Sequence, residues 1–99
     1  MCEFKVMKQN DNTQIAEEIL VLSYNEKNEL LLKDILGMGK KLDSALILDV
    51  NTIDQKCVIL EHPLINEMLG LLKDITSGSA KKNQVETLIE KLEDIKNTL

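Results

Sequence analysis

The sequence predicts an α+β fold: a small antiparallel β-barrel or sandwich of about five strands, followed by two C-terminal helices. Three observations lead there. Up to His62 the apolar residues come in short runs separated by clusters of Asn, Asp, Gln and Gly, the pattern of strands joined by turns. At His62-Pro63 the pattern changes, because the residue before a proline is pushed away from helical angles while proline itself fits a helix's first turn. Finally, 99 residues suit one modest hydrophobic core and not two independently stable domains. The expected layout is a β-domain over residues 1–62 and a helical extension over 63–99, packed on that domain or on a dimer partner.

The opening stretch Met1-Cys2-Glu3-Phe4-Lys5-Val6 reads as extended, with Cys2, Phe4 and Val6 on one side and Glu3 and Lys5 on the other. Gln9-Asn10-Asp11-Asn12-Thr13 is rich in residues that hydrogen-bond their own backbone, a loop closing a hairpin. Ile19 to Tyr24 is apolar on both parities and brief, which favours a strand covered on both faces. The polar connection Asn25-Glu26-Lys27-Asn28 leads to a third strand within Glu29 to Leu36. Gly37-Met38-Gly39-Lys40-Lys41 brings glycine and basic charge together, yet a phosphate-cradling loop needs a longer Gly-rich turn and then Lys-Ser/Thr opening a helix. Here the lysines run into Leu42-Asp43-Ser44 and another strand, so the segment reads as a flexible loop. Ala45 to Val50 and Cys57 to Glu61 form a hairpin about the polar turn 51–56, with Cys57 and Ile59 on one face and Cys57 a core thiol.

In the C-terminal part, Leu64 to Ile75 has a broad apolar face at helical spacing. Thr76 to Ala80 is a small-residue linker, and Asn83 with Glu86 reads as the capping pair of a second helix. Val85, Leu88, Leu92, Ile95 and Leu99 occupy heptad a and d positions of that helix. Two heptads are too few for an independent coiled coil, so an antiparallel helical hairpin with the preceding helix, or a dimer contact, is expected. His62, the one histidine, reads as a boundary residue and not a ligand.

Charge narrows the partners. The net charge is -5, there is no arginine, and Phe4 and Tyr24 are the aromatic residues, whereas nucleic-acid binders use basic surfaces, Arg forks and stacking rings. Nucleic acid is therefore disfavoured. No run approaches the roughly 20 apolar residues of a membrane span and the N-terminus lacks a signal-peptide profile, so no membrane partner and a cytoplasmic location are expected. Cys2 and Cys57 then read as free thiols. No constellation of nucleophile, base and orienting acid stands out, so an enzyme is not expected.

Metal chemistry has one candidate. The Cys2 thiolate lies beside the amides of Cys2 and Glu3 and an α-amine, a compact set of sulfur and nitrogen donors that suits square-planar Ni(II). If Met1 is removed, the amine of Cys2 itself closes a five-membered ring with its sulfur.

With these strands laid out, the first 62 residues resemble the CooT family of small nickel-binding proteins, accessory to nickel insertion into carbon monoxide dehydrogenase in bacteria and also found in archaea. The likeness rests on Met1-Cys2 followed by a short strand ending Lys5-Val6, on Ile19-Leu20-Val21-Leu22 before a polar turn, and on the closing hairpin Ala45–Val50 to Val58–Glu61. It implies an Sm-like (SH3-like) barrel, homodimerisation, and nickel held through Cys2 with Glu3 beside it, close to the subunit contact. It also implies a nickel-enzyme client such as carbon monoxide dehydrogenase. Leu64 to Leu99 departs from the short family members and leaves the dimer geometry open. Two other readings stand beside this one: an Sm-like RNA-binding module, and a scaffold acting through the C-terminal helices.

Overall fold

A computed structural model of the protein describes residues 3–99. Among the described residues, seven strands in two sheets precede two helices: β1 (Phe4–Lys8), β2 (Thr13–Ile19), β3 (Val21–Tyr24), β4 (Leu30–Lys33), β5 (Gly39–Leu42), β6 (Ala45–Asn51), β7 (Lys56–Glu61), α1 (Pro63–Ser77) and α2 (Lys82–Thr98). The α+β class is as the sequence predicts. The strands, however, do not form a closed barrel. A four-stranded sheet ordered β2-β1-β7-β6 and a three-stranded sheet ordered β3-β4-β5 share one core. Nor is the pairing wholly antiparallel: β1 runs parallel to β7, from Lys5↔Lys56 to Lys8↔Ile59, placing the first strand beside the last.

Two strands beyond the expected five come from edges whose sequences carry weak signals. The run Ile19 to Tyr24 is not one strand. It breaks at Leu20, whose N–H donates to the Lys33 carbonyl at 2.8 Å and carries the chain from the first sheet to the second. What precedes the break, Thr13–Ile19, is β2, an edge strand with a largely solvated face and a bulge where Phe4↔Ile19 gives way to Val6↔Ala16. The third expected strand stops at Lys33 because Asp34 turns the chain: its Oδ1 accepts the N–H groups of Leu36 (2.9 Å) and Met38 (3.0 Å), and Gly37 takes φ +78°. Gly39-Lys40-Lys41, expected as loop, is strand β5, drawn into register with β4 from Leu30↔Leu42 to Lys33↔Gly39.

The core lies between the sheets. Val6 of β1, Ile19 of β2, Leu30 and Leu32 of β4, Ala45 of β6, and Cys57 and Ile59 of β7 are buried, with Phe4, Leu22, Tyr24 and Ile47 packed around them. The inward pair Cys57 and Ile59 is as the alternation predicts, and each large apolar side chain buried there contributes about 1.5–3 kcal/mol. The Tyr24 hydroxyl donates to the Ala45 carbonyl at 2.6 Å, a polar tie between the sheets. Along β6 a bulge between Ile47 and Asp49 interrupts simple alternation, leaving Leu46, Leu48 and Val50 part-exposed on an edge strand.

The chain divides into two compact units, with the break between Asn66 and Glu67. In the first, Asn66 is a staple: its Nδ2 donates to the carbonyls of Lys27 (2.8 Å), Asn28 (3.2 Å) and Asp43 (2.8 Å), and its N–H to Ser44 Oγ at 2.9 Å. The second unit is the expected antiparallel helical hairpin. Leu71 and Leu88 are its buried residues, flanked by Lys91 Nζ to Glu67 Oε1 and Gln84 Nε2 to Asp74 Oδ2, both 2.8 Å. The expected Asn83–Glu86 cap is corrected. Gly78, at φ +78°, ends α1, and Ser79 and Ala80 donate N–H bonds back to the Asp74 carbonyl, so the chain enters α2 earlier, with Lys81 as N-cap and its N–H on Gln84 Oε1 at 2.7 Å.

Candidate metal centre ahead of β1

β1 is an interior strand, held by β2 on one side and β7 on the other. Its start is pinned by Phe4↔Ile19 and by the Lys5 N–H, which donates to the Gln55 carbonyl at 2.9 Å. That carbonyl belongs to a well-tied turn: Asn51 Oδ1 accepts the N–H groups of Ile53 and Asp54, both at 3.0 Å, and Asn51 Nδ2 donates to Asp54 Oδ2 at 3.1 Å. Glu3 therefore leads, exposed, into a strand whose register is fixed from both sides. Cys2, the principal expected ligand, lies outside the described residues.

The same end of the sheet carries the β2 bulge, where Glu18 has φ +58° and Glu17 and Glu18 are both exposed. Carboxylate oxygens are thus present near the entry of β1. Among the described residues, however, no group of three or more His, Cys, Asp or Glu side chains is gathered closely enough to hold a metal ion.

The other thiol is unsuited to ligation. Cys57 is fully buried, and burial pushes its thiol up, with Asp49 adding to the shift, so the neutral form is favoured and no thiolate is presented. His62 is likewise occupied. Its Nδ1 accepts the Leu64 N–H at 3.1 Å and its carbonyl accepts the Ile65 N–H at 3.1 Å, making it the N-cap of α1, consistent with a boundary residue.

A groove of about 530 Å³ opens where β1, β5 and β7 end, lined by residues including Lys8, Asn10, Lys41, Ser44, Glu61 and His62. Sequence reasoning missed it, since its lining comes from distant segments. Several of its polar groups are already paired. Lys8 pairs with Glu61 at 3.4 Å, Lys41 with Glu29 at 3.4 Å, and the Asn10 amide exchanges two hydrogen bonds (2.8 and 3.0 Å) with the Glu61 backbone, extending the β1–β7 ladder by a side chain. Ser44 Oγ bonds the His62 carbonyl and not its ring. No protein-family model, characterised protein or solved structure matches the chain. Among the described helices none is long and apolar enough to cross a membrane.

Proposed function

We propose that the chain is a nickel-binding accessory protein of the cytoplasm, a metallochaperone or store that coordinates Ni(II) through the Cys2 thiolate and the neighbouring backbone nitrogens of Cys2 and Glu3. The reading rests on the Met1-Cys2-Glu3 sequence and its likeness to the CooT family. One structural observation supports it: β1, the strand that follows this sequence, is anchored on both sides, while the chain's other thiol is sealed in the core. Nickel is the cargo. A thiolate with amide and amine nitrogens supplies the soft and borderline donors it prefers, and two subunits meeting at this end would supply a second thiolate. The client is then a nickel enzyme such as carbon monoxide dehydrogenase.

Because each donor must lose a proton, affinity rises from pH 6 to pH 8. Anaerobic nickel titration of the wild type and of Cys2→Ser, followed by thiolate-to-metal charge-transfer absorption and native mass spectrometry, tests the reading. Wild type is expected to develop the absorption at a defined stoichiometry, with the mass reporting whether Met1 is retained. Equal binding by Cys2→Ser would overturn it.

A further inference from the structure

The helical hairpin contains an internal symmetry that the heptad pattern of α2 does not reveal. Leu71 and Leu88 mark the buried centre of the pair. Measured from Leu71, the polar residues at positions -4 and +3 are Glu67 and Asp74; measured from Leu88, the same positions hold Gln84 and Lys91. These are the residues that bond across the hairpin, Glu67 to Lys91 and Asp74 to Gln84, so each -4 position meets a +3 position. That is the pairing of an antiparallel hairpin with a pseudo-twofold axis through its centre.

The apolar residues obey the same offsets. At -3, +1 and +4 from Leu71 stand Met68, Leu72 and Ile75; at -3, +1 and +4 from Leu88 stand Val85, Ile89 and Leu92. Equal offsets under a twofold axis fall on one side of the layer, so these six side chains share the face opposite the cross-linking polar residues. They are exposed: Leu72 52%, Ile75 53%, Ile89 49%, Leu92 46%, Val85 41% and Met68 36%. Half of the large apolar residues of the two helices are thus exposed.

We infer that this face docks on the same face of a second copy of the chain, forming a four-helix bundle. Two observations choose that occupant. About half of six large side chains amounts to roughly 500 Å² per copy and ~1,000 Å² for a pair, the threshold of a specific interface. Along the outer rim of α2, Lys82, Glu86 and Glu93 share one side, and reversal of the helix brings its two ends into opposite-charge register. Lys82 lies near its start and Glu93 near its end, on the same side of the helix, so antiparallel α2 helices from two copies set Lys82 against Glu93 twice, while a parallel arrangement opposes like charges. A lipid surface would instead favour a basic rim, and this one is mixed.

This interface does not rest on nickel. The test therefore uses the full chain in the Cys2→Ser background with chelator present, so that metal-dependent association is removed. Sedimentation equilibrium is expected to give an even multiple of the chain mass, and Ile89→Glu to halve it with the far-UV dichroism retained. Leu72→Glu, on the other helix, is expected to do the same. Lys82→Glu and Glu93→Lys are each expected to weaken association about tenfold, and the two together to restore it. A monomeric parent, or a mass unchanged in both apolar-face variants, would overturn the inference, as would binding to neutral phosphatidylcholine vesicles in place of self-association.

Discussion

Two glycines in the β4–β5 hairpin are expected to rank opposite to what backbone angle alone would say. Gly37 has φ +78°, where an L side chain is disfavoured, but nothing lies within 4 Å of a Cβ built there. Gly37→Ala should therefore cost only the left-handed penalty, about 1–2 kcal/mol. Gly39 has no such angle, yet its Cβ would lie 1.7 Å from the Leu32 carbonyl oxygen and 3.2 Å from Lys33 Cα, both backbone atoms of the paired strand. To reach even 3.0 Å the strands must part by over an ångström at the Leu32↔Lys40 and Lys33↔Gly39 pairs. Losing two ladder hydrogen bonds at ~1 kcal/mol each, and loosening the adjoining fully buried Leu32, brings Gly39→Ala to about 3–4 kcal/mol. Urea unfolding followed by Tyr24 fluorescence isolates the β-unit, since the chain has one tyrosine and no tryptophan. A Gly39→Ala variant no less stable than Gly37→Ala would refute the close strand approach.

Asn66→Ala should cost about 2 kcal/mol by leaving the carbonyls of Lys27, Asn28 and Asp43 without their shared donor, and Asn66→Asp should cost more by aiming a carboxylate at them; urea midpoints rank the two. Cys57 is expected to be unreactive to a thiol reagent in the native protein and to react fully in 8 M urea, measured in Cys2→Ser so that one thiol is counted; rapid native labelling would contradict the core assignment. On acidification the β-unit should weaken. The Thr13 hydroxyl bonded to Asp11 and the Asn25 amide bonded to Glu29 hold both carboxyls below their ordinary range, so their contribution is present above the ordinary carboxylate range and disappears as pH falls through the lowered folded-state values. Asn25→Ala is expected to flatten that acid limb in a pH series of thermal melts.

The parts of the fold legible in sequence are those whose residues answer to one neighbour. The β6–β7 hairpin is such a case, since Asn51 to Gln55 carry their own turn chemistry and Cys57 and Ile59 alternate with residues less deeply buried. Pro63 after His62 is another, a local stop and start. Failures occur where a distant partner decides. β2 presents Glu17 and Glu18 and looks like loop because it is an edge needing only Ile15, Ala16 and Ile19 inward, and β5 is Gly-Lys-Lys-Leu held in place by β4. The parallel β1–β7 pair, and with it the two-sheet layout, joins the first and last strands and has no local signature. Within the candidate site the same division holds: the donor chemistry of Cys2-Glu3 reads directly from the sequence, whereas the anchoring of β1 by Gln55 and Ile19 does not.

The two proposals make opposite demands on solution conditions, which separates them physically. Nickel binding through a thiolate and backbone nitrogens releases protons, so it strengthens with pH and disappears with chelator or with Cys2→Ser. Docking of the Leu72–Ile89 face is driven by buried apolar surface, with a smaller share from its rim charges, so it should persist through chelation and weaken by about tenfold or less with salt. It also explains why the offsets about Leu71 and Leu88 coincide. A hairpin serving only to cover its own two buried leucines has no need for six further apolar residues in register on one side, whereas a hairpin that completes its core from a second copy requires a flat face of that composition.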